Sequence, residues 1–80
     1  MQQKRRAVFS NRFNPEKLLN SKWTAVNPVF KERHFLVTKL ITDESEQVHA
    51  VILEAVINHH EYRLPVEKLK ETSNWMQGWK

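Results

Sequence analysis

"HFLVTKLITDESEQVHAVILEAVI", residues 34–57, is the stretch on which the architecture of this chain turns. Two runs rich in β-branched and long apolar residues, His34 to Thr42 and Val48 to Ile57, flank the polar segment Asp43-Glu44-Ser45-Glu46-Gln47. That pattern predicts a β-hairpin. A turn centred near Ser45 and Glu46 sets Leu36 opposite Ala55, Thr38 opposite Leu53 and Leu40 opposite Val51. Phe35, Val37 and Ile41 then share the reverse face with Val56, Ile52 and Ala50. In this register Val37 faces Glu54, and Lys39, opposite Ile52 and diagonal to Glu54, is placed for an ion pair. Both faces are apolar, so the hairpin requires cover on both sides, from further strands, terminal helices or a second chain.

Working outward, Lys22-Trp23-Thr24-Ala25-Val26 reads as a strand that ends at Asn27-Pro28. Asn58-His59-His60-Glu61 reads as a turn, and Tyr62-Arg63-Leu64 as a return strand in which Tyr62 and Leu64 meet Ile57 and Ala55. Asn14-Pro15-Glu16 supplies a cap, a proline at the first helical position and an acid in the first turn, which starts a short helix with Leu18 and Leu19 inward. Pro65 opens a helical stretch to about Glu71 with Val66 and Leu69 inward, and Ser73 or Asn74 caps a last turn. Trp75 and Trp79, at i and i+4, would share one face of that turn and act as a lid on the sheet. The predicted fold is mainly β with short terminal helices: an antiparallel sheet of about four strands, open or curled into an SH3-like barrel. Residues 1–11 are expected to form a basic flexible arm and 12–80 a single small globular domain.

Composition narrows the function. A chain of 80 residues buries only about 60% of its unfolded surface, which gives a thin core. With no cysteine there is no disulfide, thiolate nucleophile or cysteine-held metal. The longest apolar run, Ala50 to Ile57, is interrupted by Glu54 and falls far short of the about 20 residues of a membrane span. Lys4-Arg5-Arg6 is not followed by the apolar stretch of a signal peptide, so a cytoplasmic location with no membrane partner is expected. The single glycine, Gly78, leaves no phosphate-cradling loop or dinucleotide fingerprint. Asp43, Glu44 and Glu46 read as solvated turn charges, and His34, His49, His59 and His60 lack metal-site spacing. No catalytic residue, cofactor or metal is expected, and the chain reads as a non-enzyme.

Charge and aromatic placement point to a binding role. Residues 1–39 hold nine Lys/Arg against two Glu, whereas residues 40–80 hold four Lys/Arg against seven acids. Cations and rings interleave at Arg12-Phe13, Lys22-Trp23 and Phe30-Lys31-Glu32-Arg33-His34-Phe35. Single-stranded nucleic acid is held by cations on phosphates and rings on bases. The first expectation is therefore a basic module that binds RNA or associates with the ribosome. Lys4, Arg5, Arg6, Arg12, Lys22, Lys31 and Arg33 would contact phosphate, with Phe30 and His34 stacking. Trp23, Phe35 and Tyr62 are needed for the core. The alternative is a protein-interaction or homodimeric module that uses an apolar sheet face or Trp75 and Trp79.

The run NPEKLLNSKWTAVNP, followed by KERHFLVTKL, LEAVI, YRLPVEKLK and the closing WMQGW, resembles the tryptophan-rich family of small uncharacterised bacterial proteins. The resemblance spans residues 12–79, and its specificity lies in the combined spacing of SKWTAV, the His-Phe pair and W-x-x-G-W. Members of that family commonly carry another tryptophan after the proline, where this chain has Val66. The resemblance implies a bacterial, single-domain protein and carries no mechanism with it.

Overall fold

The 34–57 stretch lies at the centre of a five-stranded antiparallel sheet in a computed structural model that describes residues 11–80. The strands are β1 (Lys22–Val29), β2 (Glu32–Thr42), β3 (Val48–Ala55), β4 (Glu61–Pro65) and β5 (Trp75–Gln77), in the order β4-β3-β2-β1-β5. The mainly β class holds. The strand count is five rather than four because the tryptophan segment at 75–77 is extended. The sheet is open rather than a barrel, since β4 and β5 each end it with one paired edge. Helix among the described residues is limited to two 3-10 segments, Pro15–Lys17 and Val66–Lys70.

The expected register holds near the β2–β3 turn and fails beyond it. Leu40 faces Val51, Lys39 faces Ile52 and Ile41 faces Ala50 as predicted. A bulge at Thr38 then moves Val37 opposite Leu53, Leu36 opposite Glu54 and Phe35 opposite Ala55. One extra residue on one strand exchanges the faces of everything past it. Phe35 and Val37 thereby join Leu53 and Ala55 in the core, while Leu36 turns to the other side. Glu54, expected to pair with Lys39, instead meets His59 Nδ1 at 2.6 Å. In the next hairpin the backbone closes between Ala55 and His60. Tyr62 consequently faces Leu53 and Leu64 faces Val51, four residues deeper along β3 than the sequence suggests.

The core is Trp23, Phe35, Val37, Val51, Leu53 and Ala55 on one face of the sheet, covered by Leu18, Val66 and Leu69. Asn14 accepts the Glu16 N–H and Pro15 opens the first 3-10 segment, as its sequence predicts. Leu18 is buried but Leu19 is 48% exposed, because a single tight turn points successive residues apart. Asn20 takes a left-handed backbone (φ 68°) and donates its N–H to Val37, which leads the chain into β1. The reverse face carries half-buried Leu36 and Ile52, and neither 3-10 segment contributes to it. A thickness of 16 Å is that of one sheet with one covering layer, since packed layers sit about 10 Å apart.

β1 does not end at Asn27-Pro28 but runs through them to Val29. It leaves β2 between Thr24, opposite His34, and Val29, opposite Glu32. Four residues, 25–28, therefore span the place of one on β2. Pro28 is tolerated because its missing N–H falls where β1 has left that ladder. The strand pair then closes through Phe30 and Lys31, both left-handed at φ 54° and 62°. This is a two-residue hairpin turn that Asn-Gly would suit far better.

The chain's last described segment corrects the expected helix. Trp75–Gln77 pairs antiparallel with β1, with Ala25 facing Trp75, Thr24 facing Met76 and Trp23 facing Gln77. An available sheet edge outweighs one turn of helix that would have few residues to propagate it. Trp75 packs edge-on against Phe35 at 5.3 Å, whereas Trp79 lies 6.0 Å from His34. Phe35 and His34 are neighbours on β2 with opposite facing, so the two tryptophans lie on opposite sides of the sheet. Gly78 makes this possible with a φ of 84°.

Candidate functional site

Two constellations stand out, one on each face. The first is a cleft of about 420 Å³ where β1 leaves β2, with Phe35, Leu53, Tyr62, Leu64 and Trp75 along its walls and Pro28, Val29 and Phe30 at its outer lip. Glu32 opens into it yet is only 2% exposed. Its carboxylate accepts from Tyr62 Oη at 2.5 Å, Asn58 Nδ2 at 2.7 Å and His60 Nδ1 at 2.9 Å. A carboxylate only accepts, so His60 must donate from Nδ1. The Tyr62 and Asn58 hydrogen bonds, with a smaller contribution from His60, hold the Glu32 pKa below the ordinary carboxylate value against the opposing effect of burial. The same contact raises the Tyr62 phenol above its usual value. This network ties the β1–β2 turn to the β3–β4 hairpin.

The second constellation surrounds Trp79. Thr24, itself buried, donates Oγ1–H to the Gly78 carbonyl at 2.7 Å and accepts the Lys80 N–H at 2.8 Å. The Trp79 indole donates to the Phe35 carbonyl at 2.9 Å. The ring remains 44% exposed, with Lys22 Nζ 4.8 Å from its centroid. Arg33 reaches the Lys80 carbonyl at 3.4 Å. Lys22 also lines a second cleft of about 450 Å³ together with Arg12, Lys17 and Gly78, and Gln77 donates to the Arg12 carbonyl. Arg12, Lys17, Lys22, Arg33 and Lys80 thus form a belt around the β5 end of the sheet. His34 Nε2, beside Trp79, is buried without a hydrogen-bond partner among the described residues.

Of the residues singled out as nucleic-acid contacts, the structure places Lys22 and His34 at Trp79 and Arg33 at the adjoining Lys80 carbonyl, with Arg12 in the second cleft. Phe30, 82% exposed, instead stands at the lip of the Glu32 cleft, with Lys31 beside it in the turn. Lys4, Arg5 and Arg6 lie outside the described residues. Asn11, assigned to the arm, is held by its side chain to the carbonyls of Leu69 and Trp75. Among the core aromatics, Trp23 is buried with its indole donating to Ser21 Oγ, and Phe35 is buried, but Tyr62 is 41% exposed. Phe13 packs edge-on against Trp23 at 5.8 Å.

The Glu32 network escaped sequence reasoning because its members lie 26 to 30 residues apart. The only local sign was an acid among cations and rings at 30–35. No group of three or more His, Cys, Asp or Glu side chains among the described residues is placed to hold a metal ion. No described helix is long and apolar enough to cross a membrane.

No curated protein and no solved structure matches the chain significantly. A family model described as tryptophan-rich protein (DUF2389) matches residues 21–80. The match begins at Ser21, so it takes in all five strands and both faces just described and leaves out the capped 3-10 turn at Pro15–Lys17. The sheet, its Glu32 cleft and its Trp79 belt are the architecture of a chain that belongs to the tryptophan-rich DUF2389 family.

Proposed function

We propose that this protein is a non-enzymatic, cytoplasmic module that binds single-stranded RNA, with Trp79 as a stacking platform. The observation that carries the reading is the half-exposed Trp79 ring with Lys22 over it, in a belt shared with Arg12, Lys17, Arg33 and Lys80. The exposed part of the indole offers a base an apolar surface, and stacking of this kind contributes about 1–3 kcal/mol per base. Lys22 at the ring and Arg33 at the adjoining Lys80 carbonyl would meet the phosphates on either side of the base. A ribosome-associated role would use the same surface.

The test is anisotropy of labelled, mixed-sequence single-stranded RNA at two salt concentrations, with tryptophan emission followed in parallel. Expected are quenching of tryptophan and an affinity that falls with salt by a slope of about 0.7 per phosphate neutralised. Lys22→Glu with Arg33→Glu should abolish binding, and Trp79→Ala should weaken it strongly. Salt-independent binding, or full affinity in the Trp79 variant, would overturn the reading.

A protein-interaction or homodimeric role is the second reading, favoured by the exposure of Val29, Phe30 and Ile57 at the ends of the two hairpins. It draws nothing from Trp75, which is turned into the core. It predicts an assembly that tolerates salt and dissociates on dilution, readable by light scattering.

A further inference from the structure

The Glu32 cleft lies on the face opposite the Trp79 belt, and the RNA reading makes no use of it. Phe35 is buried at its base. Tyr62 stands 6.2 Å from that ring at an inclination of 66°, and Trp75 stands 5.3 Å away at 79°. Two rings inclined steeply to a third make walls and a floor. Ring faces carry partial negative charge and attract cations, most strongly where water is excluded. A volume of about 420 Å³ is at the small end of ligand sites.

The carboxylate adds a full charge to this enclosure. A carboxylate has about four acceptor positions, and Tyr62, Asn58 and His60 occupy three, two of them on Oε2. No lysine or arginine among the described residues lies within ion-pair reach of Glu32. Arg63 borders the cleft, but it faces Ile52, and its side chain alternates with those of Tyr62 and Leu64 and leaves β4 on the other side. The carboxylate is a buried anion whose one ion-pair partner is the His60 imidazole at 2.9 Å, with no lysine or arginine against it, an arrangement that leaves room for a cationic ligand.

The remaining chemistry selects the kind of cation. A guanidinium fork needs two free acceptors side by side, and Oε2 is already filled. A primary ammonium needs three acceptors, and the carboxylate has one left to offer. A quaternary ammonium needs none and is best served by ring faces and a nearby negative charge. We infer that Phe35, Tyr62 and Trp75, with Glu32 at their edge, form an aromatic cage for a quaternary ammonium group, either a choline-type headgroup or a trimethylated lysine side chain.

The experiment uses the full chain and reads the Trp75 indole N–H by NMR and tryptophan emission during titration. The probes are tetramethylammonium, choline, Nε-trimethyllysine and the uncharged choline isostere 3,3-dimethylbutan-1-ol. The cations should saturate and shift Trp75 while leaving Trp23 unmoved, with choline about tenfold or more tighter than its isostere. This comparison needs no variant. Glu32→Gln should narrow the gap between choline and isostere. Tighter binding of trimethyllysine than choline assigns a modified side chain as the ligand, and the reverse order assigns a headgroup; both support the cage. Equal binding of choline and isostere, absence of saturation, or a shift at Trp79 in place of Trp75 would overturn it. None of these outcomes depends on whether RNA binds the other face.

Discussion

The two faces of the sheet are assembled from alternate residues of the same strands, and they meet water differently. On one, Trp23, Phe35, Val37 and Leu53 are sealed beneath Leu18, Val66 and Leu69. On the other, Leu36 and Ile52 are half-buried, and Trp79 lies against His34 with its indole bonded to the Phe35 carbonyl, its segment held by Thr24. The contrast teaches that this small domain builds one dry core and finishes the second face with side chains. Two local devices distribute the residues between them. The bulge at Thr38 brings Phe35 and Val37 to the dry side, and Gly78 lets Trp75 and Trp79 go to different sides.

The largest effect expected from breaking this contrast is at Trp23. Trp23→Ala should cost about 3–5 kcal/mol in urea unfolding, enough to unfold much of a marginal domain. Trp79→Ala on the other face should cost only about 1–2 kcal/mol, because part of the ring is already in water. Equal losses at the two sites would show that both faces are cores. Thr24→Val keeps the shape but strands the Gly78 carbonyl and the Lys80 N–H. It should cost about 1–3 kcal/mol and release Trp79, seen as red-shifted emission with the Trp75 environment preserved.

A smaller effect of opposite sign is expected at the strained turn. Lys31→Gly should stabilise the protein by about 1 kcal/mol, since glycine takes a positive φ without steric conflict. A loss of stability there would mean that the Lys31 side chain contributes a contact outweighing the strain.

The least effect at neutral pH, and the most diagnostic at the extremes, concerns Glu32 and Tyr62. Glu32 has its folded pKa below the ordinary 4.5, so its contribution is complete above that value and is lost as the pH falls through the folded one. Tyr62 has its folded pKa above the ordinary 10.0, so its contribution is complete below that value and is lost as the pH rises through the folded one. Urea midpoints measured against pH should show both losses, with the acid one absent in Glu32→Gln. An unchanged acid limb in that variant would remove Glu32 from the account.

The parts legible in the sequence were those carried by neighbouring residues. Asn14-Pro15 announces its capped turn, Val66 and Leu69 announce their inward stripe, and the 34–57 hairpin is readable from apolar runs around a polar turn. The bulge at Thr38 had no such mark, because threonine is an ordinary strand residue and the insertion is defined only against β3. The proline in β1 misled for a related reason. It reads as a strand end unless one knows that β1 has left β2 and needs no donor there. Helical spacing misplaces the final tryptophans, whose position is set by the free edge of β1. At the site, Arg12, Lys22, Arg33 and His34 were visible as cations and rings in alternation, while Glu32 and its three partners were not visible as a group.

By itself, then, the sequence determined a mainly β domain, the identity of its central hairpin, the absence of any cysteine chemistry and the concentration of cations in its first half. Those properties follow from composition and from periodicities of a few residues, which no partner strand can change. Only the tertiary structure decided which face each aromatic occupies, that the sheet stays open, and that Glu32 meets Tyr62, Asn58 and His60 in a cleft lined by Phe35 and Trp75. These depend on strand register, and a one-residue bulge or a single positive φ reverses the outcome while leaving almost no trace in local sequence.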